Sequence, residues 1–472
     1  MAKTDRSFAA VAERDTESLR TQFRGELLRP DDTGYDDARA IWNGMIDRRP
    51  ALILRATGTA DVVTAVNFAR DHDLEIAVHG GGHNVAGNAV SDGGLMLDLS
   101  EMTGVSVDPE ARTVRAQAGA TLGDVDHETQ SFGLATPLGV VTATGIAGLT
   151  LNGGYGHLSR EHGLSVDNLT EVEIVTADGE IRTANDHQHE DLFWAIRGGG
   201  GNFGVVTAFE YDLHEVGPDV YQFFVWYHGD ETATRLATFR EWAATAPRTA
   251  GVLPFVAQVP AIEEFPEDAR GESALVFFGC YRGDLDDAAD VFGPLTAGAD
   301  PIADFSGTVR YEDLQAALDE DYPDGLRYYW KSIYLGELTD EVVDLMIQYN
   351  ETAPSALSTV DLWWLGDAVA EVPQDATAFW HRDKPFMVTF EANWEDPADD
   401  DANVEWAREG FAAFEALSVT GGRYGNFPGF AEDPAHLLFG DNYDRLVEVK
   451  TRYDPENLFH LNQNIAPRVE EN

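Results

Sequence analysis

A single cysteine, Cys280, stands in a chain of 472 residues. That excludes an internal disulfide and a thiolate metal site, and its setting in ALVFFGCYRG reads as a small buried core residue. Lysine is nearly as scarce: Lys3, Lys331, Lys384 and Lys450 are the whole complement, and arginine supplies the rest of the 32 basic residues. Against 83 acidic residues they leave a net charge of −51. A surface for nucleic acid or anionic lipid needs a basic face, and there is little material for one, so no nucleic-acid or membrane partner is expected. No apolar run reaches the roughly 20 residues of a membrane span. The opening MAKTDRSFAAVAERDTESLR has neither an apolar signal core nor a twin-arginine pair, so a cytoplasmic location is expected. Acidic runs such as Asp399–Asp401 do not gather into a tail. Self-repulsion on this scale is tolerable where salt screens it, which points to a halophilic protein of a salt-accumulating, haloarchaeal type of cytosol. The charge speaks of habitat rather than activity.

What is present is ample for packed cores: 43% hydrophobic and 11% aromatic residues. The length predicts two or three domains. From Pro50 short strands and helices alternate. ALILRA, LEIAVHG and LMLDLS read as strands, and TADVVTAVNFARDHD as a helix with Thr59 as its N-cap. Hairpins are expected over Asp108–Pro109 and Asp178–Gly179. Near Val216 the texture changes to long aromatic strands (VYQFFVWYH, ALVFFGCYR, GLRYYWKSIYL, TVDLWWLG, FMVTFEANW), interleaved with helices such as ETATRLATFREWAA and DEVVDLMIQYN. Their alternation predicts an antiparallel sheet with one covered face. The fold class is α+β, with domains expected at 1–216 (core about 46–216), 217–420 and 421–472. No internal repeat or low-complexity segment is found.

Three glycine-rich segments lie in the first half: GGGHN (Gly80–Asn84), GLTLNGGYGH (Gly148–His157) and RGGGGNFG (Arg197–Gly204). Successive glycine N–H groups form concave nests for phosphate oxygens, and the absent side chains admit a flat ring. A nucleotide-type cofactor is expected in preference to three structural turns. Gly199, Gly201 and Gly204 also fit G-x-G-x-x-G, but that fingerprint must follow a strand and open a helix. Here it follows the helical EDLFWAI and precedes the β-branched VVTAFEY, so it is not a Rossmann loop. His83, at the end of the first glycine run, is placed to hydrogen-bond a carbonyl, bind metal, or attack an electrophilic carbon such as the 8α-methyl of a flavin. No convergent ligands support a metal, and none is expected.

Four segments in order, GGGHNVAGNAVSDGGLMLDLSEM, GIAGLTLNGGYGHLSREHGLSVDNL, DLFWAIRGGGGNFGVVT and NYDRLVEVKTRYDPENLFHLNQNI, resemble the berberine-bridge-enzyme-like FAD-linked oxidases of the vanillyl-alcohol-oxidase superfamily. The resemblance runs from about Tyr35 to Pro467. It implies a two-lobed fold: a bipartite PCMH-type FAD-binding domain from the N-terminal half and the tail, with an antiparallel-sheet substrate domain inserted between. It implies FAD held by Gly80, Gly81, Gly82, His83 and Asn84, by Gly145, Gly148, Gly153, Gly154, Tyr155, Gly156 and Asn168, by Gly204 and Val206, and by Asn426, Asn462 and Asn464. His83 takes the family's 8α attachment. A second, cysteinyl link in some relatives falls at Val141 by gapless counting, so one covalent bond is expected. His79 departs from the arginine of many relatives and offers a rival attachment site.

The implied reaction is two-electron oxidation of a C–H bond next to an alcohol or amine, on a small molecule such as a sugar or a hydroxylated heterocycle. The Y-x-N motif supplies Tyr424 as catalytic base, with Asn426 beside it; a phenol of ordinary pKa near 10 needs a cation or donor to serve so. Lys331, in RYYWKSIYL, either snorkels from the core or faces the cleft as that cation, and is taken as the second catalytic candidate. The stretch His381 to Lys384 (HRDK) reads as structural ion pairing, and NDHQHED as a solvated loop. His157 and His162 read as capping or packing residues. Oxygen is the expected acceptor, with Thr144 at the position that gates it. A dehydrogenase with another acceptor, a flavin- or ligand-binding protein without turnover, and a nucleotide-binding module without flavin are the alternatives.

Overall fold

A computed structural model describes residues 13–418, 421–430 and 432–468. The N-terminal stretch read above for export signals, including Lys3, lies largely outside them, as does the 420 boundary. Among the described residues the first 215 positions build two main sheets. One runs Glu26–Leu28, Leu52–Arg55, Leu95–Asp98, Ile76–His79, its last two pairings parallel. The other is antiparallel, in the order Val105–Asp108, Thr113–Gln117, Val205–Asp212, Leu169–Val175, Ile181–Asn185. Both expected hairpins are present, over Asp108–Pro109 and over Asp178–Gly179. One N-cap differs. The helix Thr59–Asp71 is preceded by Gly58, and the Thr59 hydroxyl donates instead to Glu173 at 2.6 Å. No side chain caps the helix; Asp61 in its first turn instead holds the preceding chain, accepting from the Thr57 amide and hydroxyl.

The aromatic strands form one antiparallel sheet, ordered Ala303–Asp304, Asp219–His228, Ser273–Tyr281, Ala250–Gln258, Thr359–Trp364, Phe386–Trp394, Arg327–Leu335, with Gly307–Arg310 also on Asp219–His228. Because strand side chains alternate, the sheet has two distinct faces. Val360, Leu362, Val388, Phe390 and Tyr329 pack under the helices Asp340–Glu351 and Asp400–Glu415. The opposite residues turn toward the first half of the chain, where Trp226, Val276, Phe278 and Trp363 join Tyr155, Leu164 and Tyr424 in one cluster. Cys280 lies in that cluster, 2% exposed, its thiol pushed up to about 12 by burial.

The tail closes onto the first half. Leu446, Val449, Phe459 and Ile465 belong to the same apolar core as Leu52, Leu97 and Val172. Lys450, buried in the helix Tyr443–Tyr453, gives its ammonium to Asp454 at 2.6 Å and to the carbonyls of Asn202 and Phe459 at 2.7 Å each. One paired charge thereby pins the RGGGGNFG loop to the tail. Arg382 makes a second tie, bidentate to Asp167 at 2.6 and 2.9 Å and 1% exposed. That is the structural pairing expected of HRDK. Its neighbour His381 stacks on Tyr334 and bonds the Leu437 carbonyl.

Candidate active site

A cavity of about 530 Å³ runs along the seam between these parts. Its lining begins at the glycine loops with Gly80, Gly81, Gly82, His83 and Asn84, Gly145 and Gly148, Gly201, Gly204 and Val206, and Asn462 of the tail. It ends over the aromatic sheet, with Trp226, Phe255, Trp330 and Trp363, beside Tyr155, Tyr424 and Asn426.

The glycines act in two ways. At Gly81 a Cβ would lie 2.4 Å from the nitrogen of Gly145, the N-cap of the helix Ile146–Leu151, so the first loop and this helix start touch backbone to backbone only because neither glycine carries a side chain. At Gly148, in the short helix Ile146–Leu151, a Cβ would meet nothing within 4 Å. The bare wall there faces open cavity, a cradle that fits a flat or phosphate-bearing group. Gly201 is matched closely to the tail, its absent Cβ 2.8 Å from the Asn462 amide nitrogen.

His83 lies partly buried on the wall, stacked on Trp42 with ring centroids 4.8 Å apart, and Trp42 is stacked in turn on Tyr328. Its Nδ1 comes to 3.5 Å from Thr144 Oγ1, too far for a strong hydrogen bond. Burial, followed by the neighbouring His79, lowers its pKa to about 4. At neutral pH the ring is therefore uncharged and keeps a nucleophilic nitrogen. Its rival is occupied elsewhere: His79 Nδ1 pairs with Asp98 at 3.1 Å, and the residue does not line the cavity. Asp98 is held below the usual carboxylate range; its burial works against this, but His79 and Arg55 outweigh it. Val141 and Thr144, placed by counting, both line the cavity.

Tyr424 sits at the junction of the glycine and aromatic ends, 2% exposed. Its hydroxyl accepts from Asn426 Nδ2 at 2.9 Å and from the Gly154 amide at 3.2 Å. Burial pushes its pKa up to about 12 against the pull of these donors. Two donors fill both lone pairs of a neutral phenol. A substrate can therefore hand a proton to this oxygen only when Tyr424 has given up its own.

The structure corrects several expectations. Lys331 does not reach the cavity. It alternates with Trp330, which does, so strand parity sends its ammonium to the helix-covered face, to Asp433 at 3.0 Å and Glu432 at 3.4 Å over the Phe411 ring. Asn168 is a bracket for the backbone, donating to the carbonyls of His162 and Leu164 and bonding His214. Gly153, Gly154 and Gly156 lie behind the wall. Gly154 aims its amide at Tyr424, while Gly156 has no room for a Cβ against the Leu138 carbonyl. Asn464 is also off the wall, its buried Oδ1 without a partner. His157 packs edge-on against Phe278 and His162 stacks on His214, as packing residues.

Sequence reasoning missed two kinds of residue. Trp42, which backs His83, lies upstream of the glycine loops. Asp361 and Glu391 line the aromatic end and are 3% and 2% exposed. Their signal was a single acid at an alternate position in an otherwise apolar strand.

Comparisons with known proteins agree with this geometry. The family described as FAD binding domain matches residues 50–185, and the family described as berberine and berberine-like matches 423–466. The chain is 32% identical to (R)-6-hydroxynicotine oxidase of Paenarthrobacter nicotinovorans, over 94% of this chain and 97% of that one. The crystal structure of 6-hydroxy-D-nicotine oxidase from Arthrobacter nicotinovorans superimposes with a TM-score of 0.83 at 30% identity, covering 94% of this chain and 98% of that one. A glucooligosaccharide oxidase from Acremonium strictum, whose structure is described as revealing a novel flavinylation, gives 0.85 at 25% identity, covering 98% and 100%. With the glycine cradle, the neutral histidine and the doubly bonded tyrosine on one cavity, the chain belongs to the berberine-bridge-enzyme-like family of FAD-linked oxidoreductases.

Proposed function

We propose that this protein is an oxidase that carries FAD on a single covalent bond to His83 and oxidises an alcohol or amine carbon of a small organic molecule. The observation that carries the reading is the Tyr424 hydroxyl, held by Asn426 and Gly154 on the same cavity as the glycine cradle and an uncharged His83. Bound FAD supplies a two-electron acceptor. The chain's own residues do the rest. Gly80 to Gly82, Gly145, Gly148 and Gly204 let the backbone approach the cofactor, and His83 anchors it. Tyr424 holds and moves the substrate proton at its phenol oxygen, and the aromatic wall orients the substrate and excludes water. Residues 217–420 form the substrate-binding unit, and 421–472 complete the cofactor-binding one. Relatives of this chain include oxidases of hydroxynicotine and of glucooligosaccharide, which frame the substrate choice between a hydroxylated heterocycle and a sugar.

The test is a panel of sugars, amines and hydroxylated heterocycles added to the flavin-loaded protein without oxygen. The reading expects the yellow colour to bleach with a member of the panel and peroxide to form when air is admitted. Bleaching without peroxide would make the protein a dehydrogenase. Bound flavin that nothing bleaches would favour a binding protein.

A further inference from the structure

The aromatic end of the cavity carries a charge pattern that the oxidation chemistry does not use. Its wall includes five carboxylates, Glu320, Asp321, Asp361, Glu391 and Glu395, and no lysine or arginine among the described residues. The general acidity of the surface does not account for this, because Asp361 and Glu391 are almost wholly out of solvent. They project from neighbouring strands on the same face, Asp361 opposite Thr389 and Glu391 opposite Thr359, as diagonal cross-strand neighbours. Glu391 accepts from the Tyr322 hydroxyl at 2.9 Å and from Thr389 at 3.3 Å. Asp361 Oδ1 has no hydrogen-bond partner.

We propose that the Asp361–Glu391 pair is the seat for a cationic ammonium group of the substrate, so that the molecule oxidised is a basic amine rather than a neutral sugar. The inference rests on the function proposed above and names its substrate class. Two buried carboxylates side by side are costly unless a positive charge or a shared proton joins them. A polyol offers hydroxyl donors, which satisfy lone pairs but leave the mutual repulsion. An ammonium brings both the charge and the N–H donors, and the rings of Trp330, Trp363 and Tyr322 around it add attraction for a cation. The anchored nitrogen is a recognition group; the carbon that reacts lies toward Tyr424.

Protonation supports this geometry. Burial raises Asp361 to about 7; burial, and then the charge of Asp361, raises Glu391 well above the carboxylate range. Burial outweighs the Tyr322 hydroxyl, whose donation draws Glu391 down. That phenol is itself kept protonated by burial, and Asp321, Glu320 and Glu395 complete the acidic wall. Without ligand the pair therefore keeps protons near neutrality, and a bound cation displaces them.

The experiment uses phenyltrimethylammonium and its neutral isostere tert-butylbenzene, read by quenching of the cavity tryptophans in the flavin-loaded protein. The quaternary probe has no proton of its own, so any pH dependence belongs to the protein. At pH 8 in molar salt the cation should bind about tenfold or more tighter than the isostere. The preference should shrink toward pH 5, with proton release on binding between, and should fall in both Asp361→Asn and Glu391→Gln. The salt matters: screening over about 3 Å at 1 M removes the attraction of the acidic surface but not that of a buried pair. Equal binding of the two probes at pH 8, a preference lost in salt, or one unchanged in both variants would overturn the proposal. If one variant fails to fold, the other and the parent's pH dependence decide. Flavin bound without cation preference would sink this inference alone. Cation preference in a protein that takes up no flavin would sink the proposed function instead.

Discussion

Replacing Tyr424 by phenylalanine removes one oxygen and leaves the ring, so its consequences can be worked out from the two bonds that oxygen accepts. The Asn426 amide and the Gly154 N–H lose their acceptor in a buried site. Each orphaned donor costs on the order of 1–3 kcal/mol, less where the Asn426 side chain turns to another partner. The ring's contacts with Tyr155, Phe379 and Phe427 persist, so the fold should survive with a lowered Tm. The chemical step loses its proton acceptor, worth about 10²–10⁴-fold in rate, or roughly 3–5 kcal/mol. The pH profile carries the sharper signature. With a pKa near 12, only a small and growing fraction of Tyr424 is ionised as pH rises from 7 to 10, so the parent's rate of flavin bleaching should climb steadily across that range. The variant should be slow and nearly flat. Anaerobic stopped-flow at several pH values, with flavin content and Tm checked in parallel, makes the measurement. A variant that keeps the alkaline climb, or loses less than tenfold in rate, would refute the assignment of Tyr424 as the base.

The other predictions concern the wall and the core. Gly148→Ala should leave Tm unchanged or slightly raised, since its Cβ meets nothing and alanine favours a helix, yet it should lower flavin loading; Gly81→Ala should lower both, because its Cβ collides with the Gly145 backbone. Flavin-to-protein ratio and melting curves separate the two. Lys331→Met should lower stability by only about 1.5 kcal/mol, because Arg408 still pairs with Glu432 and Arg423 with Asp433, while kcat at a permissive temperature stays near the parent's; a large fall in kcat with unchanged Tm would return it to the active site. Asp126, wholly buried and raised by that burial to about 7, is protonated in the fold where it is ionised in the unfolded chain. Its contribution is complete below the ordinary carboxylate pKa and is lost as pH rises through 7. Asp126→Asn should therefore gain in Tm relative to the parent between pH 5 and 8, and a constant difference across that window would contradict the assignment.

How far the sequence could be read depended on which physical signal each residue leaves. Glycine loops are legible because surface turns alone rarely demand three runs of residues without side chains, and the order of helix and strand around Gly199–Gly204 was enough to reject a Rossmann turn. The aromatic strands declared their alternation, but alternation does not say what each face meets. Only one covered face was expected; the second, where Trp226 and Trp363 lie with Asp361 and Glu391, lines a cavity instead of solvent, which is why the two acids passed unnoticed. Scarcity rather than parity put Lys331 forward. A scarce lysine between Trp330 and Ser332 looked functional, whereas one step along a strand reverses the face and sends it to Asp433. Trp42 left no signal, since its stacking on His83 joins segments that only the folded chain brings together. The role of Gly154 in holding Tyr424 is likewise a contact across 270 residues.

The most direct test of the account is the bond to His83. The parent and a His83→Ala variant would be produced with FAD, denatured in acid and separated from free flavin, and the polypeptide examined for colour and flavin fluorescence. The account predicts that both stay with the parent chain and are absent from the variant, whose flavin is released. Colour released from both chains, or retained by both, would contradict attachment through His83.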